Sequence, residues 1–115
     1  MAAQSKTSDL LRREEATMKV YKFFRFTFTE AMWELSSEER KAYQARLDAA
    51  LEQVGGKQIL MATPYWSEEQ WIGCGVEEFP SLEAAMQHAA LLYDMSHPRY
   101  VQGESWLATE YSSEV

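Results

Sequence analysis

The stretch MKVYKFFRFTF, Met18 to Phe28, contains neither glycine nor proline and is dense in aromatic and branched side chains. Composition of that kind reads as a β-strand. Taken at period two, Val20, Phe24, Phe26 and Phe28 fall on one face and Tyr21, Phe23, Arg25 and Thr27 on the other. Large groups stand on both faces, so neither is expected to be fully solvated.

Working outward, Tyr43, Leu47, Ala50, Leu51 and Val54 recur at spacings of three and four, which predicts an amphipathic helix from Ser36 to Val54. Ser36 followed by Glu39 fits a capping box, and Gly55-Gly56 supplies the stop. In front of this helix Trp33 reads as a staple for the incoming loop, with a second reading that places Trp33 and Glu30 at a pocket mouth. Residues 57–66 and 70–78 are two further strand candidates around SEEQ, and Pro64 pushes that pairing toward a sheet edge or strand end. Ser81 caps a second helix on which Leu82, Ala85, Met86, Ala89 and Tyr93 share a face. Pro98 disfavours helix at His97, so SHPRYVQG breaks the element, and ESWLATEY reads as the last strand.

The order β-α-β-β-α-β is the split βαβ, or ferredoxin-like, unit: an α+β fold with a four-stranded antiparallel sheet and both helices on one face. The 115 residues allow one domain with one core, expected over residues 18–111. Residues 1–17 read as an extension with a short helix around SDLLRREEA, and 112–115 as a tail. The other sheet face is then bare. On it the reading places Tyr21, Phe23 and Arg25 of the first strand and Trp71, Gly73, Gly75 and Glu77 of the third, leaving Ile72, Cys74 and Val76 under the helices. An apolar face of that size is normally covered, which predicts a homodimer.

Composition excludes several classes. The formal charge of −7 repels phosphate backbones, so nucleic acid is not an expected partner. No apolar run reaches the roughly 18 residues of a membrane span. The polar N-terminal segment lacks the apolar centre of a secretory signal, and the lone Cys74 cannot form an internal disulfide, so a cytoplasmic location is expected. His88 and His97 have no metal-ligand spacing, so neither a metal site nor another cofactor is expected.

The segments MKVYKFFRF, WELSSEERKAY and VEEFPSLEAAMQHA resemble the small darcynin-like and uncharacterised proteins of the dimeric α+β barrel superfamily. Trp33, Ser36, Glu38, Glu39, Arg40 and Tyr43 carry the likeness into the first helix. The resemblance implies two ferredoxin-like sheets facing each other across a dimer. It leaves the activity open among cofactor-free monooxygenases, haem-handling enzymes, lyases, isomerases and proteins without known chemistry.

For chemistry the histidines lead. His88 stands beside the apolar stripe of the second helix and His97 on the loop leaving it, each a candidate general base because imidazole titrates near neutrality. Tyr21 and Arg25 alternate on the bare face, where Arg25 would meet Glu77 or a ligand carboxylate or enolate. Gly73 and Gly75 leave space for a bulge, a partner side chain or a ligand. Tyr65, Trp66, Trp71 and Trp106, with Trp33, are candidates to line an apolar site for a flat molecule, or to form a dimer core. The expected function is binding, with cofactor-independent turnover, of a small apolar or aromatic metabolite. The alternatives are a non-catalytic assembly protein and a haem-handling protein.

Overall fold

The computed structural model describes residues 18–111. The extension with its expected short helix and the C-terminal tail lie outside the described residues. The elements run β1 (Val20–Phe28), α1 (Glu30–Glu34), α2 (Ser37–Gln53), β2 (Lys57–Ala62), β3 (Gly73–Phe79), α3 (Leu82–Asp94), α4 (His97–Tyr100) and β4 (Val101–Ala108). The strands form one antiparallel sheet in the order β2-β3-β1-β4, the ferredoxin-like arrangement, with β1 and β3 at its centre.

Local chemistry sets the boundaries. Ser36 Oγ accepts from the Glu39 amide at 3.1 Å, and the Glu39 carboxylate accepts from the Ser36 amide at 2.9 Å, so α2 begins with a complete capping box. Gly55, at φ +75°, ends it in the left-handed conformation that glycine adopts without penalty. Ser81 Oγ accepts from the Ala84 amide and opens α3. The β2–β3 strands are shorter than expected. Pro64 has no amide to pair, and its carbonyl instead accepts from the amides of Ser67 and Glu68 at 2.9 and 2.8 Å, closing a turn.

Two short helices stand where loops were expected. Pro98 lies in the first turn of α4, where a missing N–H costs nothing because that position has no intrahelical acceptor. Ser96, at φ 56°, reverses the chain just before it. The Thr29 hydroxyl donates to the Arg99 carbonyl at 2.6 Å, which ties α4 to the end of β1.

Register corrects the expected faces of β3. Phe26 lies opposite Gly73, Phe24 opposite Gly75, Lys22 opposite Glu77 and Val20 opposite Phe79. Val20 and the fully buried Phe79 pack with Ala84 and Ala85 of α3 and with Leu51 and Val54, so this face is the one the helices cover. Gly73, Gly75 and Glu77 therefore lie on the helix side, and Cys74 and Val76 on the uncovered side. The cause is volume. A Cβ on Gly73 would stand 2.3 Å from Phe26 Cζ and one on Gly75 2.8 Å from Phe24 Cζ, so the absent side chains are the space that the rings occupy.

The stripe on α3 is corrected too. Ala84, Ala85 and His88 are its buried residues, whereas Leu82, Met86 and Tyr93 are exposed. Small side chains let α3 lie close over Phe79, and the larger ones turn outward.

Candidate functional site

Packing is uneven along the sheet. At the Val20–Phe79 end the helices close on the strands; toward the other end of β1 they leave a cavity of about 390 Å³ between α2, α3 and the sheet. Its size falls within the roughly 300–1,000 Å³ of ordinary ligand sites. Lys22, Phe24, Phe26 and Phe28, consecutive helix-side residues of β1, form its floor. Met32 and Trp33 of α1, and Tyr43, Leu47 and Leu51 of α2, line one side, and His88, Leu92 and His97 line the wall from α3 and α4. Every residue that lines this cavity belongs to one chain.

His88 is 3% exposed and packs against the Phe79 ring at 5.2 Å, and its Nδ1 has no hydrogen-bond partner among the described residues. Burial, helped by the charge of Lys22 and by His97, lowers its pKa from the ordinary 6.5 to about 4, so the ring is neutral at pH 7. His97 is shifted the same way, by burial first and then by Lys22. Its Nδ1 is hydrogen-bonded to the Tyr43 hydroxyl, and the two rings stack at 5.9 Å and 13°. Burial raises the Tyr43 pKa to about 12, so the phenol keeps its proton at pH 7 and is able to donate it to Nδ1 when that nitrogen carries none. The proton of the neutral His97 ring then sits on Nε2. Glu77, opposite Lys22 on the helix side, has its pKa raised by burial and lowered less by Lys22.

The structure brings His88, His97, Trp33 and Glu77 together at the cavity, with Gly73 and Gly75 lying beneath its Phe26 and Phe24 rings. Trp33 meets Phe28 edge-on at 5.4 Å from within α1. The other expected residues lie elsewhere. Tyr21 sits on the uncovered face. Arg25 borders the cavity, but its guanidinium is taken by Glu104, with Nε–Oε2 3.0 Å and Nη2–Oε2 2.6 Å, and lies over the Trp71 ring at 4.6 Å. This corrects the expected Arg25–Glu77 pair, because the two side chains occupy opposite faces. Trp106 stacks on Phe23 at 5.7 Å on the uncovered face, and Tyr65 and Trp66 are exposed in the 63–72 turn.

Sequence reasoning missed Lys22 and Tyr43. Lys22 shares the period-two phase of Val20, Phe24 and Phe26, and a lone cation in an apolar phase is the signal that marks it. Tyr43 was absorbed into the helix stripe, although its hydroxyl distinguishes it from the alanine and leucines there. Among the described residues no cluster of three His, Cys, Asp or Glu side chains could hold a metal ion, and no helix is long and apolar enough to cross a membrane.

No protein-family model matches the sequence. No curated protein matches it either. Solved structures do. RPA0582, a protein of unknown function from Rhodopseudomonas palustris, superposes with a TM-score of 0.61 at 14% identity, over 93% of each chain. SnoaB, a cofactor-independent oxygenase from Streptomyces nogalater, superposes with a TM-score of 0.53 at 15% identity, over 84% of this chain and 96% of that one. At such identities the likeness is one of fold, and that fold is the ferredoxin-like α+β arrangement.

Proposed function

We propose that this protein binds a small flat aromatic metabolite in the cavity between its sheet and helices and moves a proton on it without a cofactor. One observation carries the reading: two histidines held neutral at pH 7, His88 and His97, stand on the wall of a cavity floored by Phe24, Phe26 and Phe28. Phenyl rings favour stacked or edge-on aromatic guests. His88, whose Nδ1 has no hydrogen-bond partner among the described residues, is the base. His97, fixed by Tyr43, offers its Nε2–H to the oxygen on which charge develops. The oxygenase named among the structures of like fold works without a cofactor, which agrees with this reading and carries no more.

The test is enolisation of 2-tetralone, a flat bicyclic ketone, followed by NMR as exchange of its α-protons for deuterium. The α-proton passes to His88, and the enolate oxygen accepts the His97 N–H. The protein is expected to accelerate exchange, and His88→Ala and His97→Ala to abolish the acceleration. No acceleration by the wild-type protein contradicts the proposal.

The uncovered sheet face supports a homodimer as part of the same proposal. Trp106 and Leu60 are each 55% exposed there, in a sheet face that also carries Phe23 and Val76. A second copy laid sheet to sheet covers that surface.

A further inference from the structure

Lys22 stands on the floor of the cavity, half-buried, at the one end of it that is not aromatic. Among the described residues it makes neither a salt bridge nor a hydrogen bond; the two salt bridges are Lys19–Glu78 and Arg25–Glu104. Glu77 is its direct cross-strand neighbour on the same face, yet the two do not come within salt-bridge distance. Asp48, a second carboxylate at the cavity, accepts from the Gln44 side chain at 3.0 Å. Of the other polar groups here, Glu104 is taken by Arg25, and Arg40, Tyr43, the uncharged amides and hydroxyl and the two neutral histidines offer Lys22 no negative charge.

Among the described residues the nearest counter-charge to this half-buried ammonium is Glu77, which stays beyond salt-bridge distance and whose ionised form burial disfavours, so the charge is only partly compensated unless something else supplies it. The cavity is therefore polar at Lys22 and His88, with the positive charge on Lys22 alone, and apolar at Phe26, Phe28, Met32 and Trp33. A ligand matching both ends is flat and hydrophobic at one end and carries an oxyanion at the other.

Resting on the function proposed above, we propose that the cavity takes its ligand as an anion, an aromatic ring bearing an ionised oxygen that sits on the Lys22 ammonium beside His88. Lys22 is a binding residue in this arrangement. In a turnover it also holds the charge left on the ligand after a proton has departed.

The probes are 2-naphthoate and its neutral isostere 2-naphthamide, titrated calorimetrically into the full chain at pH 7. The wild-type protein is expected to bind the acid about tenfold or more tightly than the amide, the preference that a charge-assisted hydrogen bond confers. Lys22→Met keeps the length of the stem and removes the charge, and is expected to erase the preference for the acid over the amide. Lys22→Arg is expected to retain it. Equal affinity of the wild-type protein for acid and amide overturns the anion assignment and leaves the cavity reading standing, and so does an undiminished preference in Lys22→Met. Binding of neither probe at millimolar concentration overturns both. Should either variant fail to fold, the wild-type comparison of acid and amide decides alone.

Discussion

The Tyr43 hydroxyl hydrogen-bonds His97 Nδ1, and so joins the middle of α2 to the first residue of α4 at the cavity wall. Tyr43 is 6% exposed and also packs against Tyr100 at 5.1 Å, so the pair is held by the residues around it as well as by the bond. Tyr43→Phe keeps the ring and leaves Nδ1 without its donor. The expected cost is about 1–3 kcal/mol in urea unfolding, the penalty for an unsatisfied buried polar group. Long-range proton–nitrogen NMR spectra should show His97 moving from one tautomer to a mixture. An unchanged tautomer would mean that Tyr43 does not set it.

Acid should destabilise the protein before its carboxylates titrate. His88 has a pKa of about 4 in the folded chain against 6.5 when unfolded, and His97 is lowered as well. The unfolded chain therefore binds more protons below pH 6.5, and stability falls as pH drops from about 6.5 toward about 4, then levels. Below 4.5 the lowered pKa of Glu39 adds a loss of the same sign, whereas the raised pKa of Glu77 opposes the fall at pH values above 4.5, where the folded chain takes up that proton first. The His88 contribution is on the order of 3 kcal/mol. His88→Leu removes it, and unfolding midpoints measured from pH 7 to 4.5 should fall less steeply than in the wild-type protein.

The two strand glycines should respond differently to alanine. At Gly75 a Cβ meets the Leu60 carbonyl oxygen at 2.4 Å, which is backbone and cannot move without disturbing the β2–β3 ladder. At Gly73 its nearest neighbours are atoms of the Phe26 ring, a side chain rather than backbone. Gly75→Ala is expected to cost about 1–3 kcal/mol in stability. Gly73→Ala should lose ligand affinity more than stability, because the ring it displaces is part of the cavity floor, and Phe26→Leu in the same chain should restore stability.

Sedimentation velocity at micromolar concentration should give a dimer, and Trp106→Lys a monomer with an unchanged circular dichroism spectrum. Trp106 contributes its stack on Phe23 and sits on a half-exposed surface, so the fold tolerates its loss while a sheet-to-sheet contact does not. The neighbouring Arg25–Glu104 pair is solvent-exposed and worth only about 0–1 kcal/mol within the chain.

Period and caps made much of the fold legible in the sequence. The Tyr43–Val54 spacing, the Ser36–Glu39 box and the Ser81 cap each mark an element that exists. The phase of β3 was not legible from its own residues. Both of its faces read as apolar or small, and only pairing with β1 shows that Gly73 and Gly75 face the phenylalanines rather than a bare surface. The same holds for α3, where two stripes at helical spacing compete and the smaller side chains are the ones that face the sheet. His88 and His97 were visible as chemistry, but their meeting at one cavity depends on α4, a turn of helix that Pro98 concealed. Lys22 was concealed by its aromatic neighbours.

Where a flat guest sits on the molecule decides between the cavity and the uncovered sheet face. Isotope-edited nuclear Overhauser spectra of carbon-13-labelled protein with unlabelled 2-naphthoate measure this directly. The expected contacts run from the naphthalene protons to Phe26, Trp33 and His97. Contacts to Trp106 and Leu60 instead, with none to His97, would put the ligand on the other side of the sheet and contradict the account.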